Sequence, residues 1–178
     1  MIRLIDLLIS FLGIILFAPF LIMVAIVIRF EIKKPFFLQE RVGLKKKPFN
    51  LIKFRTMKMD TPSIGTHLTD KSVITKTGNL LRVTKIDELP QLWNVFVGEM
   101  SLVGPRPCLY NQKELILERE NLGIFNFKPG ITGLSQIKKI DMSTPKLLAQ
   151  KDFEMVNELN LKTYFYYILL TLKFFFTK

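Results

Sequence analysis

Asp87 and Glu88 are adjacent carboxylates at a predicted helix start. Free backbone N–H groups and the helix dipole favour anions there. They also keep a carboxylate ionised, as a nucleophile or a metal ligand must be. Arg82 lies about one helical turn earlier, and Arg106 stands between Pro105 and Pro107, which limit its backbone freedom. Guanidinium groups match phosphate oxygens bidentately. Two carboxylates among fixed cations suit a diphosphate substrate with a divalent metal between them. The same residues have a plain structural use. Asp-Glu is common helix capping, and a proline-flanked arginine often serves as a surface ion-pair partner. Local chemistry alone leaves both readings open.

The elements that must position these groups follow from pattern. Leu80 to Phe96 reads as two helical pieces meeting at Ile86–Pro90, with Asp87 as N-cap and Pro90 in the first turn, where a missing donor costs nothing. Gly98 closes the second piece. Phe49–Phe54 has the β character of a short strand, and Gly104–Pro107 must be a rigid extended turn. Asn111–Glu120 is a charged helix and Lys128–Gly133 a turn, while Leu147–Leu159 carries apolar residues at helical spacing. Residues 60–75 are polar and Thr-rich, a predicted loop in which His67 is incidental rather than catalytic. The expected fold is α+β and mainly helical, with short strands.

Composition sets the surroundings. The 178 residues allow one compact domain and an appendage. Half are apolar (49%), the mean hydropathy is +0.27, and 16 phenylalanines exclude a disordered chain. One cysteine and one histidine exclude a disulfide framework and leave no ligand set for structural zinc. Lys and Arg exceed Asp and Glu by 26 to 15, a net +11, so the partner surfaces to consider are an anionic membrane, nucleic acid or a phosphorylated substrate.

Leu7 to Ile28 carries no charge and would make a helix of roughly 33 Å, about one bilayer core. It is longer than a signal-peptide core and is expected to stay attached. Pro19 sits mid-segment and frees the Ile15 carbonyl, so the helix should kink. Arg3 precedes the segment and Arg29, Lys33, Lys34, Arg41 and Lys45–Lys47 follow it; positive flanks fit both ends remaining cytoplasmic. The residues alone leave open an ordinary kinked spanning helix or a segment that enters and leaves one leaflet. Leu161–Phe176 is short for a span, and its Tyr and Lys residues suit either an interfacial helix or a helix docked on the core.

The stretch LRVTKIDELPQLWNVFVGEMSLVGPRP, Leu81 to Pro107, resembles the signature of the bacterial sugar transferases, the small monotopic phosphoglycosyl transferases. QERVG (Gln39–Gly43), KPFNLIKFRTM (Lys47–Met57) and KPGITGLSQI (Lys128–Ile137) resemble further segments of that family, in order along nearly the whole chain. The resemblance implies transfer of a phosphosugar from a UDP-sugar to polyprenol (undecaprenyl) phosphate, releasing UMP, as the first step of glycoconjugate assembly. Asp87 would be the nucleophile and a ligand of Mg²⁺, or of Mn²⁺ in its place, and Glu88 would complete the catalytic pair. Lys53, Arg55, Arg82 and Arg106 would hold phosphates. Residues 1–30 would form a re-entrant membrane hairpin bent at Pro19, and 31–178 a cytoplasmic, membrane-associated catalytic domain with 161–176 as an interfacial helix. The implied location is the cytoplasmic face of the bacterial inner membrane, among anionic lipids and downstream glycosyltransferases, with no nucleic acid. Two residues depart from the family pattern: Ala18 where a serine is common before the proline, and Tyr164 where an acidic residue is usual. The rival readings are a membrane-anchored nucleic-acid-binding protein and a non-catalytic scaffold. Release of UMP separates all three.

Overall fold

The computed structural model describes residues 1–59, 61 and 71–176. Its order is α1 (Ile2–Glu31), β1 (Phe36–Val42), β2 (Pro48–Phe54), α2 (Lys76–Thr84), α3 (Gln91–Val97), β3 (Ser101–Val103), α4 (Lys113–Asn121), β4 (Gly130–Thr132), α5 (Leu134–Ile137), α6 (Pro145–Asn157) and α7 (Leu161–Phe176). This is the expected mainly helical mixture. β1 and β2 pair antiparallel as a hairpin; β3 and β4 pair in parallel. Lys128–Gly133 is therefore not only a turn, because its centre is a strand. His67 lies outside the described residues.

α1 is a single helical element with Pro19 inside it, and both of its halves are held by the same domain. In the N-terminal half, the Arg3 guanidinium donates to the carbonyls of Val95 (2.5 Å) and Phe96 (2.7 Å) at the end of α3. Gly13 lies so close to Leu92 that an added Cβ would stand 3.1 Å from its side chain. In the C-terminal half, Val24, Ile28 and Ile32 form a core cluster with Phe54 of β2 and Leu81 of α2. Between and around these contacts Leu12, Ile15, Leu16 and Ile22 are exposed apolar side chains.

Asp6 is the polar knot of this docking. Its Oδ1 accepts from the Leu102 amide (2.9 Å), the Ser101 hydroxyl (3.1 Å) and the Tyr164 hydroxyl, joining α1, β3 and α7. A buried carboxylate needs donors of this number to offset its desolvation. Tyr164 is fully buried here. α7 docks on the core through Tyr164 and Tyr167, which join the main cluster, while Phe165, Tyr166, Leu169 and Leu172 are exposed. Tyr164→Phe removes one donor and leaves Asp6 two. It should cost about 1–2 kcal/mol, read as a fall of roughly 2–8 °C in Tm. An unchanged Tm would show that the tyrosine hydroxyl does not hold α1.

Candidate active site

Asp87 sits in a 3₁₀ turn, Ile86–Glu88, wedged between α2 and α3. The expectation that it caps the second helix is corrected here. The N-cap of α3 is Pro90 and no side chain caps it. The tight turn starts from Lys85, whose left-handed φ of 58° ends α2, so the carboxylates leave the chain one turn before the helix begins. Pro90, lacking an N–H, marks the switch into α3, and Gly98 ends it at φ 95°, as its sequence position requires. Asp87 is buried, and its Oδ1 has no hydrogen-bond partner among the described residues. Burial, and then the neighbouring Glu88, push its carboxyl up to about 6, against the pull of Lys53, Lys85 and Arg82.

Glu88 is held differently. Its Oε1 accepts from Arg106 Nη2 at 3.1 Å. Burial works to raise this carboxyl, but Arg106, Lys85 and Lys53 outweigh it and keep it below the ordinary value. The two carboxylates thus divide: Glu88 is paired with Arg106 and held below its ordinary value, while Asp87 is raised and has one oxygen without a partner among the described residues.

The cations come from three places. The β1–β2 register sets Phe37 opposite Lys53, Gln39 opposite Leu51 and Arg41 opposite Phe49, so Arg41 and Lys53 share one face of the hairpin. Arg106 comes from the segment after β3. Together with Glu88, Gln91 and the Gly130–Ile131 backbone of β4, these three line one cleft. Arg82 of α2 is bound through Nε to Thr56 Oγ1 (2.9 Å) and acts on Asp87 by its charge. Arg55 stands apart, its guanidinium 5.0 Å from the Phe37 ring centroid beside Lys53 Nζ at 5.3 Å, outside the cleft lining. Of the sequence-predicted residues, Lys53, Glu88 and Arg106 line the cleft; Asp87 and Arg82 do not, and Asp87 is joined to the group by adjacency to Glu88 and by the charges of Lys53 and Arg82.

Arg41 was missed as a site residue. It is visible in the sequence only as one arginine in QERVG, and the hairpin register is what brings it into the cleft. Burial and Arg106 lower its guanidinium to about 10, and burial and Arg41 lower Lys53 to about 8. Burial first, and the neighbouring cations second, thus disfavour both positive charges, and an anion in the cleft would relieve them.

The Pro105-Arg106-Pro107 segment offers just one backbone N–H, that of Arg106. Its three carbonyls are all taken: Pro105 O by Gly130 N (2.9 Å), Arg106 O by Arg119 Nη1 (2.8 Å) and Pro107 O by Arg41 Nη1 (2.9 Å). Gly104 and Gly130 are in such close contact that a Cβ on Gly130 would fall 2.0 Å from Gly104 N, so both must be glycine.

Among the described residues no three His, Cys, Asp or Glu side chains cluster as a metal site. The orphaned Asp87 oxygen fits a different arrangement, in which a hard cation takes one carboxylate and completes its shell with substrate phosphate and water oxygens. That is compatible with Mg²⁺ and with Mn²⁺.

Lys53 gives a test of what burying a cation costs here. Burial first, and Arg41 second, hold its folded pKa at about 8, below the unfolded value, so the charged amine costs stability below pH 8 and the cost fades as pH rises toward the unfolded pKa. Lys53→Met should therefore raise the apo Tm at pH 7 by roughly 2–4 °C, with a smaller gain above pH 9. A uniform fall in Tm across this range would contradict that cost.

Residues 1–178 match the family described as Bacterial sugar transferase. An uncharacterized sugar transferase of Bacillus subtilis, EpsL, is 51% identical over 112 residues, which is 62% of this chain and 55% of the relative. A UDP-glucose:undecaprenyl-phosphate glucose-1-phosphate transferase of Caulobacter vibrioides is 38% identical over 76% of this chain and 54% of its own length. The protein of that name in Escherichia coli is 39% identical over 74% of this chain and 30% of its own. The chain thus spans about half, or less, of the length of these curated relatives. With the family match covering its whole sequence, the chain belongs to the bacterial sugar transferases.

Proposed function

We propose that this protein transfers a phosphosugar from a UDP-sugar to polyprenol phosphate through a covalent intermediate on Asp87. The observation that carries the reading is a buried carboxylate with an unpartnered oxygen beside a second carboxylate and a cleft of mutually repelling cations. The names of the Caulobacter and Escherichia relatives supply the substrate class.

In the first step a carboxylate oxygen of Asp87 forms a bond to the sugar-bearing phosphorus. The bond from that phosphorus to the bridging oxygen breaks, and UMP leaves with the electron pair. In the second, a phosphate oxygen of the lipid acceptor bonds to the same phosphorus and the Asp87 oxygen departs, restoring the carboxylate. No net proton is needed at either step when both phosphates are dianions. Each displacement is in line, so UMP leaves and the acceptor enters opposite Asp87. Arg41, Lys53 and Arg106 then meet both phosphates in turn, and Arg82 balances charge on the Asp87 side. Glu88 keeps the Arg106 guanidinium fixed. Asp87 would hold Mg²⁺, which when bound spreads charge over the diphosphate oxygens.

The same reading places residues 1–30 in one leaflet of the cytoplasmic membrane, with anionic lipids against the basic flanks and the catalytic domain on the cytoplasmic side. Two features support it: both halves of α1 are fastened to one domain, and the exposed apolar side chains of α1 and α7 need cover. Arg3 and Asp6, bound to the domain through α3 and β3, would otherwise have to cross the bilayer.

The reaction is tested with the full chain in nanodiscs, a panel of UDP-sugars, polyprenol phosphate and Mg²⁺, by measuring UMP release. Asp87→Asn, nearly the same shape, should leave Tm within a few degrees and lower turnover by at least about 10³-fold. EDTA should abolish turnover and Mg²⁺ or Mn²⁺ restore it. UMP release at the wild-type rate from Asp87→Asn would remove the nucleophile assignment. For topology, a cysteine placed before Arg3 in a Cys108→Ser background should resist a membrane-impermeant thiol reagent on intact cells. Labelling from outside would show that α1 spans.

A further inference from the structure

Arg119 of α4 is a buried arginine that the proposed chemistry does not use. It is 2% exposed and lines no part of the cleft. Its Nε (3.0 Å) and Nη2 (2.6 Å) both donate to Asp152 Oδ2 of α6, and Asp152 Oδ1 accepts from Ser135 Oγ of α5 at 2.8 Å. The remaining arm, Nη1, donates to the backbone carbonyl of Arg106 at 2.8 Å. We propose that Arg119 is a positioning residue for Arg106, fixing its backbone so that its guanidinium meets Glu88 and the substrate diphosphate.

Three observations carry this. A buried ion pair adds little stability over an apolar pair of the same volume. The Arg119–Asp152 pair is therefore poorly explained as a fold-stabilising device alone. The guanidinium also has the fork needed to hold a carboxylate and a carbonyl at once, which an ammonium lacks. And the carbonyl it chooses belongs to Arg106, in a segment whose neighbouring prolines donate nothing. Gly130 N and Arg41 Nη1 anchor the flanking carbonyls, so the Arg119 bond is the one that acts at the presenting residue itself. Ser135 and Asp152 hold Arg119 in turn. The route runs from a buried serine on α5 through Asp152 and Arg119 to a half-exposed guanidinium in the cleft, and no step of it passes through substrate.

This inference rests on the proposed function only for the identity of the anion. It is tested by binding rather than turnover, with UDP and Mg²⁺ as the probe, by titration calorimetry on the full chain in nanodiscs. Arg119→Lys keeps a cation for Asp152 but loses the fork. It should weaken UDP binding roughly tenfold, the size of one charge-assisted contact. Arg106→Ala should weaken it by a similar factor. The double variant Arg119→Lys/Arg106→Ala should bind no more weakly than Arg106→Ala alone, because Arg119 acts through the side chain already removed. The Tm loss caused by Arg119→Lys should be the same in both backgrounds, which a merely structural role would not separate from binding.

Unchanged UDP binding in folded Arg119→Lys, or losses that multiply in the double variant, would overturn the assignment. Should Arg119→Lys fail to fold, Ser135→Ala removes only the donor to Asp152. It should weaken binding about two- to threefold, and that loss should vanish in the Arg106→Ala background; its persistence there, or no loss at all, overturns the assignment. A wild type that binds UDP but releases no UMP sinks the transferase reading and leaves the role of Arg119 standing. A wild type that binds no UDP sinks both.

Discussion

The burial of cations close to one another is the constraint that the site places on this fold. Arg41, Lys53 and Arg106 face one cleft with a single paired carboxylate, and Arg82 and Lys85 bear on Asp87 from the α2 side. Left to themselves such groups would swing apart into water. The fold prevents this by giving each a separate and rigid mount. A hairpin register fixes Arg41 and Lys53, a proline-flanked segment fixes Arg106, and a hydroxyl from Thr56 fixes Arg82. The result is a cleft in which three cations face a single carboxylate.

The mounts are themselves joined. β3 pairs with β4 at Ser101–Gly130 and Val103–Thr132, and the glycines at 104 and 130 let the two backbones touch just where the Arg106 segment leaves the sheet. Asn94 ties α3, which follows the Ile86–Glu88 turn, to the hairpin. Its side chain accepts from Ile52 N (3.0 Å) and donates to Asn50 O (2.8 Å). Tightness in a short parallel pair and in one buried amide thus serves the separation of charges several residues away.

Much of the site could be read locally. Helix, tight turn and helix around Ile86–Pro90 follow from an Asp-Glu-Leu-Pro run and a terminal glycine, and the structure keeps that order. Asp87 was misread as a cap because a 3₁₀ turn and a capped helix start share residue preferences. What sequence could not show is what chain distance hides. The partner of strand 101–103 is 130–132, an apparent turn until it is paired. Arg41 reads as one basic residue among many until β1 and β2 are in register. Tyr164, an odd residue by family pattern, finds its meaning in Asp6, 158 positions away. The resemblance supplied the chemistry, and only packing supplied these placements.

That last pairing bears on the order in which the fold closes. Asp6 lies in α1, and its donors come from β3 and from α7, which are translated after it. Until Ser101, Leu102 and Tyr164 have been synthesised, the carboxylate has only water to satisfy it, so its burial must await them. Docking of α1 is therefore completed late: a helix translated early is secured by one translated long after it, and a nascent chain stopped before α7 holds α1 with one donor missing.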